Sequence, residues 1–417
     1  MQTTLTPGTL APAPAENRTT GTRAPGVPAP GTPAPSGSTP SPSLPGTFPA
    51  AAEHAPAADR DRGLAGAVVA EVTSAGFARH FVPRRHGGAE GGFEALLTGV
   101  TALGEACTSA AWLGMLWAAH GRFAALLPEE GQRDLWGGSP DVRISAALMP
   151  PAGLAEPAED GWRVTGTWGC VSGVECADWL LVAAPEAGGD NRRVRVFALP
   201  AGAAEVTDTW DATGLRGTGS HTAAVHDVFV PHHRTFDRAT LLHGSDTPGL
   251  ARCHTAPAQL VGGLLFCAPA LGAARRALEV WSGWAASKAP HGRPPYDSAA
   301  VRETLAVASA HIDAAGLLLH RAARRADSDP VTADLVAVNQ RDAAVAAGLL
   351  ADAVDRMFRT GGAHLREGGG TLARLWRDVH TAASHGVLRL EPVAAAYASA
   401  VLGEGTAARA SAVSRSR

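Results

Sequence analysis

The stretch Trp162–Trp179, WRVTGTWGCVSGVECADW, constrains this chain more than any other, and it runs directly into the apolar segment LLVAAP. Trp162, Val164 and Gly166 alternate with polar neighbours, which is the two-residue period of a strand with one buried face. Ser172-Gly173 then breaks the pattern, and Ala177-Asp178-Trp179 start a second strand. A chain with this hairpin near its middle must build a sheet there. The regions on either side follow a different period.

Residues 1 to 55 are rich in Pro, Ala, Gly, Thr and Ser, with almost no large apolar side chains. Such a segment buries too little surface to offset its ordering entropy, so it reads as a disordered tail. From 56 to 137 the pattern is helical. Leu64, Val68 and Val69 make one apolar face, PRRHGGAEGG stops it, and a long run from Phe93 to about Leu127 repeats apolar residues at three- and four-residue spacing. Residues 138–242 carry the strand signals: VRISAALMP, the hairpin, VRVFALP and HDVFVP. Beyond 243 the chain is rich in Ala and Leu with few strand formers, and four long helical patterns predict a four-helix bundle over 243–405. Residues 406–417 read as a flexible tail.

Charge and cysteine content exclude several classes. The formal net charge is -3 with no basic run, so nothing supports a nucleic-acid partner. No apolar run in the sequence reaches the ~18 residues of a membrane span. The N-terminal residues lack the charged and apolar regions of a secretory signal. The five cysteines form no CxxC pair, so neither a disulfide framework nor a zinc site is expected, and a reducing cytoplasm is the simplest location. HDVFVPHH has the look of a metal site, but adjacent His232 and His233 cannot easily bind one ion, and no metal is expected. There is no G-x-G-x-x-G after a strand, and so no visible dinucleotide site for NAD(P)H.

As patterns, W-x-V-T-G-x-W with S-G and A-D-W, and then W-x-x-x-G-L-R-G-T-G-S followed by D-V-F-V-P-x-x-R, resemble the β-domain of the acyl-CoA dehydrogenase superfamily. The resemblance covers roughly residues 59 to 405. Within the superfamily it is to the two-component flavin-dependent monooxygenases that hydroxylate small aromatic molecules. It implies an α+β fold with an N-terminal helical domain, a central β-barrel-like domain and a C-terminal four-helix bundle, assembled as a homotetramer. The cofactor implied is reduced FMN or FAD, delivered by diffusion from a separate flavin reductase. Its reaction with O2 would give a C4a-hydroperoxyflavin that oxygenates a small aromatic or polyketide-type substrate, as in a tailoring step of antibiotic biosynthesis.

By residue type alone, Ser172 reads as a turn residue, His385 equally as a cap near a helix end or a functional group, and His120 as a satisfied core histidine. The resemblance assigns them catalytic places: Ser172 beside the flavin N5, His385 on the peroxide, His120 on the substrate hydroxyl. His385 lies seven residues after Asp378, close to two helical turns, so the two are expected to share a face. No carboxylate follows Asp378 in the seven-to-nine-residue window where an acyl-CoA dehydrogenase would place its base. The resemblance also puts Ser145, Trp168, Cys170 and Ser172 at the flavin ring, and Lys288 and Arg293 near its phosphates. Gly361 and Gly362 look like a turn that reaches a neighbouring subunit's cofactor. Three other outcomes stay open at this point: a nitrososynthase-like N-oxygenase, a dehydrogenase-type desaturase, and a non-catalytic member of the fold.

Overall fold

Helices lead the chain in the computed structural model, which describes residues 44–188, 193–244, 249–288 and 298–414. They are α1 (Pro49–Asp61), α2 (Gly66–Ser74), α3 (Phe93–Ala106), α4 (Thr108–Ala124) and α5 (Glu129–Trp136). The strands follow: β1 (Ile144–Ala147), β2 (Leu154–Ala158), β3 (Gly161–Val171), β4 (Trp179–Pro185), β5 (Val194–Pro200), β6 (Glu205–Thr207), β7 (His221–Pro231) and β8 (Thr235–Asp237). The rest is helical: α6 (Arg238–His243), α7 (Arg252–Thr255), α8 (Ala258–Ser287), α9 (Ala299–Ser328), α10 (Ala333–Thr360), α11 (Thr371–Ala383) and α12 (Leu390–Ser414).

Several expectations need correction. The tail does not extend to residue 55: Phe48 is buried, and Ala51, Ala55 and Ala58 of α1 pack into the helical core. Small residues on one face let α1 lie close to its neighbours, so a composition that reads as disorder still builds a helix there. Residues 1–43 and Arg293 lie outside the described residues. The run from Phe93 is not continuous, because Cys107 is extended (φ -153, ψ 113) and separates α3 from α4. At the other end the backbone is helical to Ser414, through the segment expected to be a flexible tail. Helix α8 is also long and apolar enough to span a membrane by length and composition, although 72% of its most apolar window is buried inside the protein.

The strands form two four-stranded sheets, ordered β1-β4-β5-β8 and β2-β3-β7-β6. Their facing surfaces share one core, which includes Val164 and Trp168 of β3, Leu180 and Val182 of β4, and Phe197 of β5. The β-barrel-like expectation is thereby refined to a pair of sheets. The first sheet is buried on its other face too, where Ile144, Leu181, Val196 and Ala198 meet Ala124, Leu127 and Trp136 from the helices. Burial on both sides explains why β4 reads as an uninterrupted apolar run. In β3 only one face is covered, so Trp162 and Val164 are buried while Arg163, Thr165 and Thr167 are exposed.

Helix α4 sits at the centre of the molecule. Every residue in it except Phe123 is buried, which accounts for its lack of charge before Arg122. That guanidinium is satisfied by the carbonyls of Ala256 (2.6 Å) and Cys253 (3.4 Å). Helix α11 shows the simpler amphipathic case: Leu372, Leu375, Val379 and Ala382 fall on one stripe and are all buried. Among α8, α9, α10 and α11, each of the first three packs against the other two, and α11 packs on α8 and α10.

Candidate active site

Strand β3 shifts its register against β7 twice, between Val164 and Gly166 and again after Trp168. Trp168 faces Ala223 on β7, but Val171 faces His221, so three steps on one strand oppose two on the other. This is a one-residue bulge, with Cys170 at a left-handed φ of 57°. Gly173 follows at φ 67°, and a Cβ there would stand 3.0 Å from Leu113 of α4, so the turn lies directly on that helix. The bulge and turn deliver Ser172 to α4. Its Oγ accepts from the Trp112 Nε1–H at 3.3 Å and lies 2.8 Å from Ser220 Oγ.

Strand β1 brings in the next two groups. Ser145 is buried and its hydroxyl donates to the Ser172 carbonyl at 2.7 Å, fixing the backbone of the turn. One residue earlier, the Ile144 carbonyl lies 2.7 Å from His120 Nδ1. A carbonyl only accepts, so Nδ1 carries the hydrogen and Nε2 keeps its lone pair. Burial lowers the His120 pKa to about 4, so the ring is neutral at physiological pH.

His385 arrives from the far end of the chain. It lies outside α11, extended at φ -58, ψ 139, and its Nδ1 accepts the Val387 N–H at 3.4 Å. The hydrogen therefore sits on Nε2. The ring stacks on Phe266 of α8 (3.9 Å between centroids, 18° between planes) and stands 5.8 Å from the Trp112 ring. Burial lowers its pKa to about 4 as well. Two neutral imidazoles of opposite polarity result: His120 offers an acceptor at Nε2 and His385 a donor.

Asp378 does not share a face with His385, because α11 ends at Ala383 before His385 is reached. Its Oδ1 instead accepts the Leu215 N–H at 2.7 Å, and burial raises its pKa to about 6. Leu215 is itself left-handed at φ 52°. A Cβ on the preceding Gly214 would fall 2.2 Å from the Arg377 carbonyl. The Arg377-Asp378 pair is an anchor for the loop before β7. Arg377 completes it with bonds to the Thr213 and Gly368 carbonyls and to Asp59.

The flavin-contact assignments divide. Trp168 does not face the site: it is buried between the sheets with its Nε1–H donated to the Ala183 carbonyl at 3.1 Å. Cys170 is exposed beside the bulge. Lys288 follows the last residue of α8, 22 residues past Phe266, which is about 33 Å along a helix. Within one chain it does not reach Ser172. Gly361 and Gly362 close α10, where Gly362 packs against Trp284 of α8. His233 is paired with Asp134 at 2.9 Å rather than with His232.

Sequence reasoning overlooked Trp112, Phe266, Ser220 and Thr218. Trp112 and Phe266 are hidden in apolar helical runs, where nothing distinguishes a wall of a site from core. Ser220 and Thr218 stood inside the quoted G-T-G-S pattern, and the usable signal was two hydroxyl residues entering a buried strand. A cavity of 970 Å³ beside α2 is lined by Val69, Thr73, Arg79, Leu113, Gly173 and Thr218, among others, but by none of Trp112, Ser172, Phe266 and His385. Its walls also carry Asp141, Arg143, Glu175 and Asp178, and it shares Thr218 with the hydroxyl groups beside Ser172.

Comparison with known proteins decides the class. Residues 264–389, a span holding both Phe266 and His385, match the family model described as acyl-CoA dehydrogenase, C-terminal domain. The chain is 31% identical over 325 residues to the flavin-dependent monooxygenase oxygenase subunit HsaA of Rhodococcus jostii, covering 74% of this chain and 84% of that protein. It belongs to the flavin-dependent monooxygenase oxygenase subunits. The FADH(2)-dependent resorcinol hydroxylase oxygenase component of a Rhizobium is 40% identical over a shorter span, 43% of this chain and 44% of that protein. Among solved structures, the 3-HSA hydroxylase of Rhodococcus sp. RHA1 superposes with a TM-score of 0.79 at 27% identity, covering 85% of this chain and 94% of that one. XiaF from a Streptomyces, solved with FADH2 and glycerol, gives 0.78 at 25% identity, covering 85% and 92%. This oxygenase subunit therefore has the acyl-CoA dehydrogenase-like fold, mixed α+β, and is an oxidoreductase.

The residues present fit a flavin ring. A Cβ placed on Gly169 would meet no atom within 4 Å, so the end of β3 beside Cys170 is bare on its outer face. Ser172 adds a hydroxyl at the edge of that face, and Trp112, Phe266 and His385 add aromatic surface beyond it. A planar, partly polar group suits such a place.

Proposed function

We propose that this oxygenase hydroxylates a small phenolic or polyketide-type aromatic substrate, using FMN or FAD reduced elsewhere and O2 as co-substrate. Reduced flavin, when bound, would supply the two electrons that activate O2, one atom of which goes to the substrate and the other to water. The residues do the rest. Ser172 meets the ring edge at N5. His120 Nε2 accepts from the substrate hydroxyl and raises the electron density of the ring to be oxygenated. With its pKa near 4 it is a hydrogen-bond acceptor rather than a store for a full proton. His385 donates from Nε2 to the oxygen that is to be transferred, and its stack on Phe266 fixes the direction of that donation. Trp112 and Phe266 keep water from the reacting atoms. The observation that carries this reading is the pair of neutral imidazoles, one accepting and one donating, tied to the Ser172 turn through β1 on one hand and Trp112 on the other.

The missing carboxylate argues against dehydrogenation, since Asp378 is spent on the Leu215 N–H. Exposed Leu305, Leu317, Leu390 and Leu402 on α9 and α12 support a homotetramer that buries them. In such an assembly Lys288, Gly361 and Gly362 of one subunit would serve the cofactor of another. The five free cysteines favour a reducing compartment such as the cytoplasm. A tailoring step in antibiotic biosynthesis is the setting proposed.

The test supplies reduced FMN or FAD through an unrelated flavin reductase and follows incorporation of labelled O2 into a panel of phenols. One labelled oxygen atom in the product, with no bleaching of oxidised flavin by acyl thioesters, is expected. Bleaching without oxygen incorporation would replace this reading with dehydrogenation.

A further inference from the structure

Ser172 is the first of three hydroxyls in a row. Its Oγ lies 2.8 Å from Ser220 Oγ, which lies 2.7 Å from Thr218 Oγ1, whose hydroxyl donates to the Leu215 carbonyl at 2.8 Å. Ser220 and Thr218 are buried, at 3% and 1% exposure. Both ends of the row have a fixed sense. The indole N–H of Trp112 only donates, at 3.3 Å to Ser172, and the Leu215 carbonyl only accepts. Leu215 is held in turn by Asp378, 163 residues away.

Ser172 accepts from Trp112 whichever way the row runs, so the Leu215 end sets every hydrogen between them. Thr218 gives its hydrogen to Leu215 and so accepts from Ser220, and Ser220 accepts from Ser172. The Ser172 hydrogen therefore points away from the reaction site. One lone pair is taken by Trp112, and the other faces outward. Reversing the row takes the Thr218 hydroxyl hydrogen off the Leu215 carbonyl, a net loss of one hydrogen bond, although that carbonyl keeps the Trp210 Nε1–H and the Thr218 backbone N–H, each at 3.1 Å.

We propose that Ser220 and Thr218 are positioning residues that hold the Ser172 hydroxyl as a hydrogen-bond acceptor, so that the site selects reduced over oxidised flavin. The chemistry of the ring edge is what discriminates. Reduced isoalloxazine carries a hydrogen on N5 and donates to Ser172 as the row stands. Oxidised isoalloxazine has only a lone pair at N5, and it gains a bond from Ser172 only after the whole row turns round. One net hydrogen bond corresponds to a preference of roughly fivefold. For a subunit that receives reduced flavin from solution and must discard the oxidised form, this sets a direction on exchange. The inference rests on the reading that Ser172 meets N5.

The test measures dissociation constants of FMN and FAD in both redox states, the reduced forms anaerobically, on the same preparation of each variant. The ratio of oxidised to reduced constants cancels any inactive fraction and any general loosening of the fold. Ser220→Ala and Thr218→Val should each lower that ratio about fivefold, while Thr218→Ser, which keeps the hydroxyl, should restore it. Ser172→Ala should lower it as well. If Ser172→Ala changes the ratio and Ser220→Ala and Thr218→Val do not, the row has no such role and Ser172 alone reads N5. If Ser172→Ala changes neither constant, Ser172 does not touch the ring, and both this inference and that placement fall.

Discussion

Replacing His120 with Asn tests whether the imidazole is held neutral by burial. The folded chain binds a proton there only near pH 4, because His120 is buried against the Ile144 carbonyl. An unfolded chain binds it near pH 6.5. Between those values the unfolded state holds more protons, so the contribution of this site to stability is complete above pH 6.5 and is lost as pH falls towards 4. The loss at pH 5 amounts to about 2 kcal/mol. His120→Asn keeps an N–H to donate to Ile144 and has nothing to titrate. Denaturant unfolding at pH 7.5 and pH 5.0 should show the variant losing about 2 kcal/mol less than the parent between the two conditions. Comparing two proteins is essential, since His80, also held near pH 4, adds a loss of the same sign, and Asp378, raised to about 6, becomes less costly over the same range. Equal losses in parent and variant would refute the argument and mean that His120 is already solvated or charged in the folded protein.

Two further outcomes follow from the anchors of the site. Asp378→Ala leaves the Leu215 N–H buried without an acceptor and should cost about 2–3 kcal/mol in unfolding experiments, with Asp378→Asn recovering most of it through its remaining carbonyl oxygen; an Ala variant as stable as the parent would show that the loop before β7 has another support. His385→Ala should bind reduced flavin nearly as well as the parent but divert more of its electrons to H2O2, read by peroxide release in the presence of substrate, and unchanged coupling would remove His385 from oxygen transfer.

Local features were legible wherever their cause was local. Alternation in Trp162–Trp168 reflects burial of one strand face, and the apolar run of β4 reflects burial of two. The same reasoning failed where a tertiary contact overrides the local pattern. Cys107 breaks a continuous helical signal, and α1 forms in an Ala- and Pro-rich segment because packing stabilises it. Trp168 carried the aromatic signal expected of a ring-facing residue, yet strand phase turns it inward. The bulge at Cys170 then gives Ser172 the orientation that strict alternation would not.

By itself the sequence determined the order of helix and strand and the resemblance that names flavin chemistry, and that resemblance is what proposes His120, Ser172 and His385. Periodicity over a few residues carries the first, since it records which face of each element is apolar, and the quoted motifs carry the second. Only the tertiary structure decided what those residues present to a ligand. Which nitrogen of His120 keeps its hydrogen depends on a carbonyl 24 residues away, and the sense of the Ser172 hydroxyl on an indole 60 residues back and a serine 48 residues on. Hydrogen-bond direction belongs to the partner as much as to the residue, and partners so distant are chosen by packing.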